Sequence, residues 1–561
     1  MTRDGVTPWP PEFAQRYAAQ GYWRGRPLGH WMWTWADRHG DRVAVVDGDR
    51  AVRYRELAEH ADALADHLHD LGLRDGDNIL VQLPNTWEFL ALFLACQRIG
   101  VAPVLALLAH REHELRYLAE LAEVKAIVVP GEWQRFDHRT MAVGLAASLP
   151  DPCRVIVLGD GAGEDNAEST VDLRSLLERW QDPQRLRARL DDHEPDSGEI
   201  ALFLLSGGTT GTPKIIARTH DDYEYNARQS GAVCGFDEDT VYLVTLPMGH
   251  NFPLGSPGIL ATLIHGGRVV MLRSPKPEVA FPLIERERAT VTSLVPAIAQ
   301  RWVEAASSGL PCSGHDLSSL RLVQVGGSVL DPAFAARIGP ALGATLQQVY
   351  GMAEGLLNYT RPADPAAVVN HTQGRPICPA DEVKLVDEAG DEVPPGGTGE
   401  LLTRGPYTPR GYYRAPEHNA RAFTPDGWYR SGDLVRWDAT GNLVVEGRVK
   451  DLINRGGEKI SAPEVEAVVD LLPQVRRATA IALPDPEYGE LVCVCVVLHN
   501  GQTLTLERVR ELFAERGVAR FKHPQQLEIV ADFPLTGVGK VDKKALRAAI
   551  LARAEAPDRA A

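Results

Sequence analysis

Short apolar runs alternate with longer amphipathic stretches along most of this chain, and no other feature constrains its architecture as strongly. Asn78–Leu83 reads as a strand, Trp87–Arg98 as a helix and Ala126–Val129 as the next strand. Arg154–Leu158, Val241–Leu246, Arg268–Leu272 and Leu320–Val325 repeat the strand pattern. That alternation predicts an α/β architecture with mostly parallel sheets, in which helices cover both faces. With 561 residues, two or more structural units are expected.

The texture changes near Asp381, where Glu382–Val386, Gly399–Thr403 and Gly441–Val445 read as short strands separated by Gly/Pro/Asp clusters. A small β-barrel-like subdomain is predicted over about residues 381–447, closing a large N-terminal domain of residues 1–449. A separate α+β unit, residues 450–561, is predicted beyond it. It has a helix opening at Pro463 (Glu464–Leu472), strands at Ala478–Leu483 and Leu491–Leu498, and a helix at Leu506–Arg516. Asp160–Glu168 reads as an exposed loop.

The segment carrying the clearest chemistry is Ser206-Gly207-Gly208-Thr209-Thr210-Gly211-Thr212-Pro213-Lys214, directly after the apolar run Ile200–Leu205. Small side chains, hydroxyls, open backbone N–H groups and a terminal lysine together suit a polyphosphate. It is not a Walker A loop, because Pro213 stands where a helix would have to begin. A flexible surface turn is the plain alternative.

A formal net charge of −16 argues against a general nucleic-acid or anionic-membrane surface, so cations for phosphate must be placed locally. Phe89–Ala109 is broken by Gln97-Arg98 and Pro103 and reads as a buried helix then a strand, not a membrane span. No signal peptide is visible near the N-terminus. The seven cysteines lack CxxC spacing and read as free thiols in a reducing cytoplasm, with Cys493-Val494-Cys495 too sparse for a metal site.

Four further segments extend the reading. Gln347–Gly355 joins an aromatic to an acid: Tyr350 could stack on a purine and Glu354 could hold Mg²⁺ against phosphate oxygens. Trp428–Asp433 sets Asp433 after a glycine turn, suited to ribose hydroxyls. Gly447–Asp451, with Arg448, lies at the texture change, where a hinge is sensible. Pro534–Asp542 presents Lys540 from a Gly-rich loop. Each alone reads equally as a turn or a solvated side chain.

The ordered set resembles the adenylate-forming (ANL) superfamily over nearly the whole chain. The resemblance implies ATP and Mg²⁺ with no prosthetic group, and a two-step reaction through an acyl-adenylate. It implies that Ser206, Gly207, Gly208, Thr209, Thr210, Gly211 and Lys214 hold phosphates, and that Gly327, Tyr350, Gly351, Asp433 and Arg448 hold the nucleotide. Lys540 and His250 take catalytic places, Glu354 the metal, Lys450 the hinge of a mobile C-terminal domain, and Gly456-Gly457 the pantetheine channel. Adjacent glycines suit close passage of a thin ligand.

Pro247–Gly258 is similar to the stand-alone aryl-acid ligases of catechol siderophore assembly, the family of the 2,3-dihydroxybenzoate–AMP ligases. Trp9–Phe13, Gly21–Trp23, Arg218–Tyr223 and Gly355–Arg361 extend that likeness. It implies an acid pocket of His250, Asn251, Phe252, Ser256, Gly326, Ser328, Val349 and Leu357. Asn251 would meet the carboxylate and 2-hydroxyl side of the ring. Ser256 would face the 3-hydroxyl, which tilts the choice to 2,3-dihydroxybenzoate over salicylate. Leu357, Gly255 and Ser328 depart from the usual valine, serine and alanine, which keeps a variant hydroxybenzoate or aminobenzoate open. The segment after Lys540 is too short for a carrier domain, so a separate aryl carrier protein or free CoA is the expected thiol. A non-catalytic ligand-binding regulator is the alternative of another class.

Overall fold

The computed structural model describes residues 4–159, 170–178, 182–206, 213–309, 311–449, 452–455, 458–485, 488–516, 518, 520–536 and 540–554. The chain divides into two compact units. The described residues of Met1–Gly208, Thr212–Glu382 and Thr403–Tyr429 form the first, and those of Val383–Leu402 and Arg430–Ala561 the second. The predicted Asp160–Glu168 loop lies outside the described residues.

Two large mixed sheets build the first unit, one of nine strands and one of seven. Both are parallel inside and antiparallel at an edge. In the first, Arg268–Met271, Val241–Val244, Val291–Leu294, Leu322–Gly326 and Thr345–Met352 run parallel in that order. The hairpin partner Gly355–Tyr359 is antiparallel. In the second, Asn78–Val81 lies between Ala102–Leu105 and Ala126–Pro130, all parallel, and Ile200–Leu205 pairs antiparallel with Ile215–Thr219. The strands are continuous Val/Ile/Leu runs because helices bury both faces, as parallel sheets require. Trp87–Arg98 is one such helix, buried along its whole length and capped by Thr86, whose side chain accepts from Phe89 N–H.

The second unit has its own core, in which Ile453, Ile460, Val465, Val469, Val492, Val494 and Phe513 pack together. Its helix Ala462–Val469 ends three residues before the predicted Leu472, because Pro473 disfavours helical geometry in the residue before it. Strands Val475–Asp485 and Gly489–Leu498 are longer than predicted, and Leu506–Glu515 is the expected helix. Four strands, Glu382–Val386, Gly399–Arg404, Tyr429–Trp437 and Leu443–Arg448, make a sheet in that order. Among the described residues no pairing closes that sheet into a barrel. All seven cysteines are free, with Cys493 and Cys495 sulfurs 4.0 Å apart inside the second unit. Among the described residues no helix is long and apolar enough to cross a membrane.

Candidate active site

The glycine-rich loop has a closed base. Ser206 N–H donates to the Lys214 carbonyl at 2.9 Å, and Lys214 N–H donates back to Ser206 Oγ at 3.1 Å. This neck forms where Ile200–Leu205 ends and Ile215–Thr219 begins. The Lys214 ammonium stands 5.6 Å from the centre of the Tyr412 ring. Gly207, Gly208, Thr209, Thr210 and Gly211 lie outside the described residues.

The carboxyl ends of neighbouring parallel strands, where open α/β sheets bind ligands, bring several expected residues together. Gly326 ends Leu322–Gly326 in register with Val349. A methyl on Gly326 would stand 2.7 Å from Val349 O and 3.3 Å from Phe252 Cε1, so only glycine fits without displacement. Gly327 follows in the left-handed region, at φ +94°, and Ser328 after it is exposed. On the next strand Tyr350 pairs with Asn358, whose Nδ2 donates to the Tyr350 carbonyl at 3.0 Å, and Gly351 pairs with Leu357. Glu354 sits in the tight turn that joins the two strands, buried at 8% exposure. The turn leaves through Gly355 and Leu356, both at positive φ, +108° and +41°.

Asn251–Gly255 forms a short helix that His250 caps, its Nδ1 accepting from Phe252 N–H at 3.2 Å. Asn251, Phe252 and Ser256 are all buried. Behind them runs the helix His220–Cys234, whose side chains Tyr223 and Asn226 support them. Tyr223 Oη donates to Asn251 Oδ1 at 3.0 Å. Asn226 Nδ2 donates to the Gly255 carbonyl at 2.5 Å and reaches Ser256 Oγ at 3.5 Å. Arg218 sets the Asn226 amide by donating to its Oδ1 at 3.3 Å. The same guanidinium pairs with Asp222 at 2.7 Å and bonds the Ala353 carbonyl at 3.1 Å, beside Glu354. Burial raises the Asp222 carboxyl, and Arg218 opposes the shift.

A second unanticipated support is the segment Gly405–Tyr413. Tyr412 Oη donates to Glu354 Oε1 at 2.7 Å. Tyr407 Oη accepts from Leu357 N–H at 3.1 Å and donates to Asp381 Oδ2 at 2.6 Å. Burial pushes Asp381 up to about 8, against the bonds from Tyr407 and from Cys378 N–H. Tyr413 N–H bonds the Ile215 carbonyl at 2.9 Å, and its ring lies 4.9 Å from that of Phe203. These pairs are distant in sequence, so no local pattern signals them.

In the second unit Asp433 lies within the strand Tyr429–Trp437 rather than in the predicted turn, with Gly432 before it at φ +70°. Arg448 is its register partner, and Arg448 Nε donates to Asp433 Oδ1 at 2.8 Å. Lys540 repeats the neck of the first loop. Thr536 N–H donates to the Lys540 carbonyl at 2.7 Å, and Lys540 N–H donates to Thr536 Oγ1 at 3.2 Å. Burial around the ammonium and the nearby Arg448 push Lys540 below the ordinary lysine range, and Asp433 pulls the other way. Lys450, Gly456 and Gly457 lie outside the described residues.

Glu354 is a buried carboxylate held, among the described residues, by the Tyr412 hydroxyl. Among the described residues no cluster of three or more His, Cys, Asp or Glu could hold a metal ion. That donor set fits a Mg²⁺ that completes its shell with phosphate oxygens and water.

Comparison with known proteins places the chain in a family. The family pattern described as AMP-binding enzyme matches residues 32–413, and that of the AMP-binding enzyme C-terminal domain matches residues 464–540. A Streptomyces protein described as salicylyl-CoA synthase / salicylate adenylyltransferase is 58% identical, over 99% of both chains. The 2,3-dihydroxybenzoate-AMP ligase of Bacillus subtilis is 46% identical, over 97% of this chain and 98% of its own. The apo structure of Mycobacterium smegmatis MbtA is similar at a TM-score of 0.73 and 44% identity, covering 97% of this chain and 98% of that one.

Proposed function

The chain belongs to the AMP-binding enzyme family and is an aryl-acid–AMP ligase, and from that premise we propose that its acid is a 2-hydroxylated benzoate, 2,3-dihydroxybenzoate foremost. The observation that carries the proposal is the placement of Asn251 and Ser256 at the two ends of one short buried helix, each supported from behind by a hydrogen-bonding residue. Two buried polar side chains on one short segment suit an acid that carries more than one ring oxygen. Salicylate is the second reading, supported by the Streptomyces relative, whose name specifies it.

In the first half-reaction a carboxylate oxygen of the acid attacks the α-phosphorus of ATP. An O–P bond forms, the bond to the bridging oxygen breaks, and pyrophosphate leaves. The Ser206–Lys214 loop receives the leaving phosphates and Lys540 supplies positive charge to the adenylation step. Fixed charge of this kind is worth on the order of 3 kcal/mol per donor. Glu354 would hold Mg²⁺, which would supply screening of the phosphate charge. Asp433 and Arg448 hold the ribose, and Tyr350 faces the purine. His250 orients the helix that bears Asn251. Ser328 and Gly326 border the acid. In the second half-reaction a thiol sulfur attacks the acyl carbon, a C–S bond forms, and AMP leaves with the former carboxylate oxygen.

The thiol we propose is the phosphopantetheine of a separate carrier protein, reached past Gly456-Gly457 after a swing about Lys450, with residues 450–561 as the moving part. Free CoA is the alternative acceptor. Two assays test the reading: ATP–pyrophosphate exchange across substituted benzoates, and acyl transfer to CoA and to a phosphopantetheinylated carrier. Exchange with 2-hydroxylated benzoates and carrier loading are expected. Rapid aryl-CoA release without carrier loading would reassign the acceptor, and exchange with no benzoate would remove the acid.

A further inference from the structure

We propose that Tyr223 makes the pocket choose a 2-hydroxy acid over a 2-amino acid, by turning the Asn251 amide so that its NH₂ faces the acid. The inference rests on the reading of Asn251 as the contact to the acid's ortho substituent.

Tyr223 lies in the first turn of the helix His220–Cys234 and is fully buried. Its hydroxyl has one hydrogen-bond partner among the described residues, Asn251 Oδ1 at 3.0 Å. Burial raises its pKa, so it remains a protonated donor at working pH. The opposite orientation of the amide would leave the Tyr223 hydrogen buried without an acceptor, which is costly. The Tyr223 bond thus holds the amide in one orientation, and it is the NH₂ end, turned away from the phenol, that meets the acid. Residue 255 must be glycine for this contact: a methyl there would stand 2.8 Å from both Tyr223 Cζ and Oη. The Tyr223 ring fills the space that a side chain at 255 would take.

An amide NH₂ seeks an acceptor. In a 2-hydroxybenzoate the phenol hydrogen bonds its own carboxylate, which leaves an oxygen lone pair for Asn251 Nδ2. In a 2-aminobenzoate the nitrogen lone pair is delocalised into the ring, and the second N–H points at the amide hydrogens. The same site that receives the first repels the second. Tyr223 acts through Asn251 and is a positioning residue.

The test is ATP–pyrophosphate exchange with salicylate and 2-aminobenzoate on the full chain and its variants Tyr223→Phe, Asn251→Ala and the double substitution. Tyr223→Phe keeps the ring and frees the amide to rotate. We expect the salicylate-to-aminobenzoate ratio of kcat/KM to fall about tenfold. In the Asn251→Ala background the same change should alter the ratio less than twofold, since no amide remains to orient. Gly255→Ala, which presses on the ring, should act in the same direction and carries the test if Tyr223→Phe does not fold. An unchanged ratio in a folded variant overturns the proposal, as does an equal fall without Asn251. If the unaltered enzyme exchanges with no benzoate, the aryl-acid reading fails first and this inference with it.

Discussion

The Tyr412 hydroxyl and the Glu354 carboxylate meet at 2.7 Å, so the acid assigned to Mg²⁺ is held from one side by a buried phenol. Burial and the neighbouring Glu354 and Tyr429 raise the Tyr412 pKa, which keeps it a donor. Tyr412→Phe removes that donor while its ring stays near Lys214. The Mg²⁺ concentration for half-maximal adenylation should rise about tenfold, the size of one hydrogen bond to a charged group at about 1.5 kcal/mol. The KM for the acid should hardly move. Initial rates titrated with Mg²⁺ at fixed ATP check this, and an unchanged Mg²⁺ dependence counts against it.

Lys540 closes its own loop through backbone bonds to Thr536, so removal of its side chain leaves that neck intact. Lys540→Ala should nearly abolish ATP–pyrophosphate exchange, by roughly a hundredfold or more. Transfer from a pre-formed aryl-adenylate to the thiol should persist. Equal loss in both half-reactions would assign the lysine a structural role.

Asp381 gives a dependence on pH with a definite sign. Its pKa is raised to about 8 in the folded protein, against about 3.9 for an unfolded aspartate. The folded state therefore holds the proton that the unfolded state releases, and stability falls as pH rises through that window. Asp381→Asn can still accept from Tyr407 and Cys378 N–H but does not titrate. The melting temperature of the variant relative to the parent should climb between pH 6 and pH 9. A difference independent of pH would refute the assignment.

Ser256 is buried and within reach of Asn226 Nδ2 at 3.5 Å. Ser256→Cys replaces a hydroxyl with a weaker, larger partner. The preference should move from 2,3-dihydroxybenzoate toward salicylate, by about tenfold for one buried hydrogen bond lost. An acid ranking that stays the same would show that Ser256 does not read the 3-position.

Much of this arrangement could be read before any coordinates. The strand Arg154–Leu158 is where its apolar run puts it, because packing on both faces of a parallel sheet decides it, while the half-buried Glu382–Val386 is marked by the turn residues that flank it. Asp433 was harder: Gly432 before it signals a turn, yet a glycine in the left-handed region also fits inside an irregular strand. His250 also caps the helix Asn251–Gly255, a contact that its expected catalytic place does not announce. Tyr407 and Tyr412 were invisible, since each meets its partner about fifty residues away, and such pairings leave no periodicity behind. Asn226 likewise gains meaning only once Arg218 and Ser256 are seen on either side of its amide.

The paired necks at Ser206–Lys214 and Thr536–Lys540 have a practical consequence. In each, the lysine is tied by its own backbone to a hydroxyl residue at the opening of the loop. The two lysines themselves are therefore natural positions for isotope labels. A label placed there could report on nucleotide turnover while the lysine keeps its post.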